Sequence, residues 1–80
     1  MNIYEINHKS VCPNNGNVDY YDITITSSFV IQVEEIIESL NSMPTSIYQE
    51  EIADKLSETF AATVQVVGFH QKVKITSTRK

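Results

Sequence analysis

Polar and apolar positions alternate from Asp22 to Thr26, where Ile23 and Ile25 sit between Asp22, Thr24 and Thr26. That two-residue period marks a strand with one covered face. Ile3, Tyr4 and Ile6 point to another extended segment before it. The period then changes. Val33, Ile36, Ile37 and Leu40 fall at i, i+3, i+4 and i+7, one apolar stripe of a helix whose other faces carry Glu34, Glu35 and Glu38. This helix should end between Asn41 and Pro44, because proline disfavours a helical residue before it. A second helix follows at once: Ser46 with Gln49 fits a capping box, and Glu50 and Glu51 suit the positive end of the helix dipole. Its buried stripe should be Ile52, Leu56 and Phe60, with Ala53 beside them. Beyond Ala62 the extended pattern returns, with Val64 and Val66 in one strand, a turn over Gly68 to Gln71, and Val73 and Ile75 alternating with Lys72, Lys74 and Thr76. The predicted order is strand, strand, helix, helix, strand, strand. This is an α+β layout, with two helices on one face of an antiparallel sheet.

Residues 1–80 make one domain with a thin core, since a chain this short leaves much of its surface unburied. A four-stranded sheet covered on one face also leaves a second face and two edges open. Closing several copies edge to edge into a barrel removes both problems, so a homo-oligomer with sites at subunit boundaries is expected. No run of about eighteen apolar residues spans a bilayer, and no basic-then-apolar leader opens the chain. The expected setting is cytoplasmic and away from membranes, where the single cysteine, unable to form an intrachain disulfide, stays reduced.

The net charge of −4 is unevenly spread. Seven acidic residues between Glu34 and Glu58 face only Lys55, whereas the chain after Glu58 carries Lys72, Lys74, Arg79 and Lys80 and no acid. Such a chain is no general nucleic-acid binder, because phosphate binding wants clustered Lys and Arg. The basic last strand can face a phosphate or simply water.

Cys12 opens the stretch Cys12-Pro13-Asn14-Asn15-Gly16-Asn17-Val18-Asp19. Its Asn, Gly and Pro content describes a turn, which can hold a sulfur partly exposed and reactive rather than buried. Cys12 and Asp19 bracket that turn, and Glu50 lies at a helix start in Ile47-Tyr48-Gln49-Glu50-Glu51. A thiol with a nearby carboxyl adds sulfur to an electrophilic carbon while a proton reaches the heteroatom beside it. A carboxylate's two acceptors match the neighbouring donors of a guanine-type edge. Taken singly, Asp19 is by default a turn residue, and Glu50 is equally a dipole partner. His8 and His70 lack an evident ligand set for zinc. Tyr20, Tyr21 and Phe69 serve either as stacking surfaces for bases or as cross-strand packing.

The loop resembles the Cys-Pro-x-x-Gly-x-x-Asp signature of the tunnelling-fold (T-fold) family of 7-cyano-7-deazaguanine reductases and their QueF-like relatives, matching every fixed position. Tyr48-Gln49-Glu50 is similar to the family's aromatic-His-Glu segment, with Gln for His. Gly68-Phe69 and the strand after it resemble the family's C-terminal part, so the similarity runs over about residues 8 to 78. It implies Cys12 as the nucleophile that forms a thioimide with a nitrile carbon, Asp19 as general acid and base, and Glu50, Glu34 and Phe69 as contacts to the deazaguanine base. The reductases follow Val-Glu with Ser-Lys, a segment associated with gripping NADPH, whereas Val33-Glu34 is followed here by Glu35-Ile36. Acidic Glu35 and Glu38 would repel a phosphate-bearing cofactor. The resemblance is therefore nearer the QueF-like amidinotransferases. These let ammonia attack the thioimide and make the formamidine of archaeosine in a nucleic acid, tRNA or DNA. It implies ammonia as co-substrate and no metal or organic cofactor. The alternatives are an NADPH-dependent nitrile reductase and a non-catalytic module that grips a deazapurine or pterin.

Overall fold

The computed structural model describes residues 1–80. Strands β1 (Asn2–Val11) and β2 (Val18–Ser27) are followed by helices α1 (Val33–Asn41) and α2 (Gln49–Phe60), then by strands β3 (Thr63–His70) and β4 (Val73–Arg79). The four strands form one antiparallel sheet in the order β1-β2-β3-β4. Element order and sheet agree with the sequence reading. The segment hinted at by Ile3, Tyr4 and Ile6 is a ten-residue strand paired with β2 along its whole length, from Asn2 opposite Ser27 to Val11 opposite Val18.

Directly opposed residues in an antiparallel pair share a face. The pairs Tyr4–Ile25, Ile6–Ile23 and Ser10–Asp19 therefore point with Tyr21, Val64, Val66 and Gly68 toward the helices. Ile23, Ile25, Val64 and Val66 are fully buried there against Ile52, Ala53 and Leu56 of α2. Truncating Leu56 to Ala would cost about 2–5 kcal/mol. The opposite face keeps Ile3, Val18, Tyr20 and Phe69 exposed. No helix is long and apolar enough to cross a membrane.

Three local expectations are corrected. The α1 stripe is only half used: Ile36 and Leu40 are buried, but Val33 and Ile37 remain 56% and 44% exposed. This nine-residue helix meets the core along a narrow line, and Val33 and Ile37 border a groove beside Tyr4 and Ile6 instead. The capping box at Ser46 does not form. Tyr48 is the N-cap, and its carbonyl accepts from the N–H groups of Glu51 and Ile52. Ser46 instead bridges Val11 in a short parallel pairing. The last hairpin turns over Gln71 and Lys72 alone, with Gln71 in left-handed backbone (φ 59°), so β3 runs on through Gly68 to His70.

Candidate active site

The loop from Cys12 to Asn17 is closed by its own backbone. The Cys12 N–H donates to the Asn17 carbonyl (2.8 Å), and the Gly16 N–H donates to the Cys12 carbonyl (2.9 Å). Asn15 Oδ1 accepts from the Asn17 N–H (2.9 Å), the local side-chain bond that makes asparagine a turn former. Gly16 sits at φ 73° with open space where a Cβ would go, so its backbone conformation, not crowding, requires glycine.

Past this loop, Asp19 and Tyr21 lie on the helix-facing side of β2. Val11 joins the second part of the site. Its N–H donates to the Thr45 carbonyl (3.0 Å), and its carbonyl accepts from the Ile47 N–H (3.3 Å). Ser10, buried, donates from Oγ to the same Thr45 carbonyl (3.1 Å). The chain is thereby fixed two residues before α2 begins, and the Tyr48 hydroxyl donates across to Asn14 Oδ1 (3.3 Å). These bonds bring the Tyr48-Gln49-Glu50 segment beside the cysteine loop.

Cys12, Asp19, Tyr48, Glu50, Phe69 and His70 are among the residues around a cleft of about 280 Å³. That lies near the lower end of the ~300–1,000 Å³ typical of ligand sites and suits a single base better than a dinucleotide. Cys12 Sγ, an Asp19 carboxylate oxygen and a His70 ring nitrogen all fall within 4.8 Å of one another. The expected meeting of Cys12 and Asp19 thus occurs. The expected partial exposure of Cys12 does not: it is 6% exposed, in the wall of a cleft that the cysteine loop shares with the start of α2 and the end of β3. His70, read in the sequence as lacking partners, is corrected to a third member of the cluster.

The Tyr21 hydroxyl donates to Asp19 Oδ2 (3.3 Å). Its pKa is pushed up to about 12, first by burial and then by the Asp19 charge and hydrogen bond, with smaller effects of Cys12 and Glu50. Tyr21 therefore stays a proton donor to Asp19 and leaves the other carboxylate oxygen for a ligand. Tyr20, on the far face of the sheet, takes no part. The Gln49 side chain is buried, and its two amide protons go to the Val66 carbonyl (2.8 Å) and the Ile75 carbonyl (2.9 Å). It fastens the first turn of α2 to β3 and β4, and so fixes Glu50 at the cleft.

Among the other expected base contacts, Phe69 stands at the rim, 61% exposed and in phase with the open-face residues Gln65 and Val67. Glu34, exposed in the first turn of α1, does not line the cleft of its own chain, and neither do Glu35 and Glu38. Of the basic residues near the C-terminus, Arg79 is engaged by Asp54. His70, Tyr21 and Gln49 are the site residues that the sequence reading did not assign. Carrying the alternation of Val64 and Val66 two steps further, through Gly68, puts His70 on the same face.

No protein-family model matches the chain, and no curated protein matches it significantly. Among solved structures, an archaeosine synthase, QueF-Like, in its apo form superposes with a TM-score of 0.80 at 21% sequence identity, over 98% of this chain and 89% of that one. At that identity the likeness speaks for the fold. The ββααββ arrangement of this chain is therefore the T-fold of the QueF-like archaeosine synthase.

Proposed function

We propose that the chain is a QueF-like amidinotransferase that converts the nitrile of a 7-cyano-7-deazaguanine base in a nucleic acid into a formamidine, with ammonia as co-substrate. The observation that carries this reading is the approach of Cys12 Sγ and the Asp19 carboxylate within 4.8 Å, in a base-sized cleft that Glu50 also lines. Glu50 accepts from the ring N–H and exocyclic amine of the base. Cys12 Sγ bonds to the nitrile carbon, and the thiol proton passes by way of Asp19 to the nitrile nitrogen, giving a thioimide. Ammonia then bonds to that carbon, the C–S bond breaks, and the amidine leaves. The fold shared with an archaeosine synthase supports the same reaction class.

Glu34 completes the grip on the base only from a neighbouring copy, since it lies outside the cleft of its own chain. The functional form is accordingly a multimer, with its sites at subunit boundaries.

The test is an intact mass after incubation with 7-cyano-7-deazaguanine. The wild-type chain should gain the mass of the base, and Cys12→Ala none. Equal labelling of both proteins removes Cys12 as the nucleophile. Tight binding without a covalent adduct leaves a non-catalytic base-binding module.

A further inference from the structure

We propose that His70 is a third catalytic residue, the base that turns ammonium into the attacking ammonia and later returns that proton to Cys12. The inference rests on the amidinotransferase reading and adds a residue to it. Three observations converge. His70 closes β3, in phase with Val66 and Gly68, so it faces the helix side of the sheet, where Cys12 and Asp19 lie. A two-residue turn fixes it there, with His70 paired to Val73. Its ring nitrogen lies within 4.8 Å of both the sulfur and the carboxylate, in the same cleft.

The chemistry needs such a group. Ammonium carries no lone pair, so one of its protons must pass to a base before the nitrogen can attack, and the His70 imidazole is the group of the Cys12–Asp19–His70 cluster that the first step leaves unused. Asp19 is also partly engaged by the Tyr21 hydroxyl. Gln49 offers nothing in its place: an amide does not titrate, and both its protons are bound to backbone carbonyls.

Ammonium gives one proton to His70, and the freed lone pair forms the C–N bond to the thioimide carbon. The adding nitrogen passes one proton to the imine nitrogen, giving a tetrahedral centre with two amino groups. That centre collapses to the amidinium, and the sulfur departs with the C–S electron pair. The His70 imidazolium then protonates the thiolate. Net, thioimide and ammonium become amidinium and free thiol.

Two readouts on His70→Ala test this, with its fold checked by circular dichroism. The first is formation of the covalent adduct with free 7-cyano-7-deazaguanine, without ammonium. It should proceed within about threefold of wild type. The second is amidine formation in an ammonium salt, using an oligonucleotide that carries the cyano base. Near pH 7 it should fall by about a hundredfold, the usual worth of a positioned general base. The deficit should shrink several-fold toward about pH 9, where more ammonia is free already, and added imidazole should restore part of the rate at pH 7. A deficit that stays constant across pH, or turnover within threefold of wild type at pH 7, overturns the assignment. Loss of adduct formation in a folded His70→Ala protein also overturns it, by placing His70 in the first step. Absence of an adduct on the wild type is a different result, which removes the parent reading rather than the role of His70.

Discussion

A Cβ on Gly68 would stand 2.5 Å from Cδ1 of Tyr21 and 2.6 Å from its Cε1. The missing side chain of β3 is thus the seat of the ring whose hydroxyl holds Asp19. Gly68→Ala should cost about 1–3 kcal/mol, the usual range for forcing a methyl into a filled core. Because the ring cannot move without its hydroxyl, the same variant should slow adduct formation. Denaturant titration and the adduct rate check the two parts. An active variant of wild-type stability would show that the ring has another seat.

Gln49 ties α2 to the sheet through one buried and one part-buried bond, so Gln49→Leu should strand the carbonyls of Val66 and Ile75. A loss of about 1–3 kcal/mol is expected. The Km for the base should rise more than kcat falls, because Glu50 loses its anchor and not its chemistry. Unchanged Km in a destabilised variant would separate Gln49 from substrate binding.

The hairpin, the sheet face of α2 and the meeting of Cys12 with Asp19 were all legible in the sequence, because each follows from local spacing. Ile23 and Ile25 declare a strand, and a loop between paired strands returns its ends to one another. The end of β3 was not legible, because Gly68 signals a turn by composition while serving packing against Tyr21. The same strand end carries His70 to the helix side, beside Cys12 and Asp19, partners that spacing along the chain does not reveal. The start of α2 was misread for a related reason: Ser46 looks like a cap, but its backbone pairs with Val11. Burial of Cys12 comes from elements distant in the chain that meet at the cleft, which no local spacing states.

In the proposed mechanism Asp19 carries the proton of the first step, and Asn keeps its shape without that ability. Asp19→Asn should lower amidine formation by about a hundredfold or more while melting within a few degrees of wild type. In the same assays NADPH should be neither bound nor oxidised when the cyano base is present. Base-dependent NADPH consumption with no amidine formed would convert the assignment to a nitrile reductase.

Tyr21 makes the fold sensitive to alkali. Its hydroxyl ionises near pH 10 when unfolded and at about 12 when folded. The contribution of its protonated form is complete below pH 10 and is lost as pH rises through about 12. Stability of the wild type should therefore fall more steeply over that window than that of Tyr21→Phe, which has no proton to lose there. Parallel curves from chemical denaturation across the window would refute this.

Val11 offers its N–H to one side of the 45–47 segment and its carbonyl to the other. One residue thereby latches the Cys12 loop to the segment that leads into α2. The two halves of the cleft cannot part like jaws without breaking both bonds. On the proposed reading a base enters through the cleft's open mouth, and the loop that carries the sulfur is a fixed wall rather than a lid.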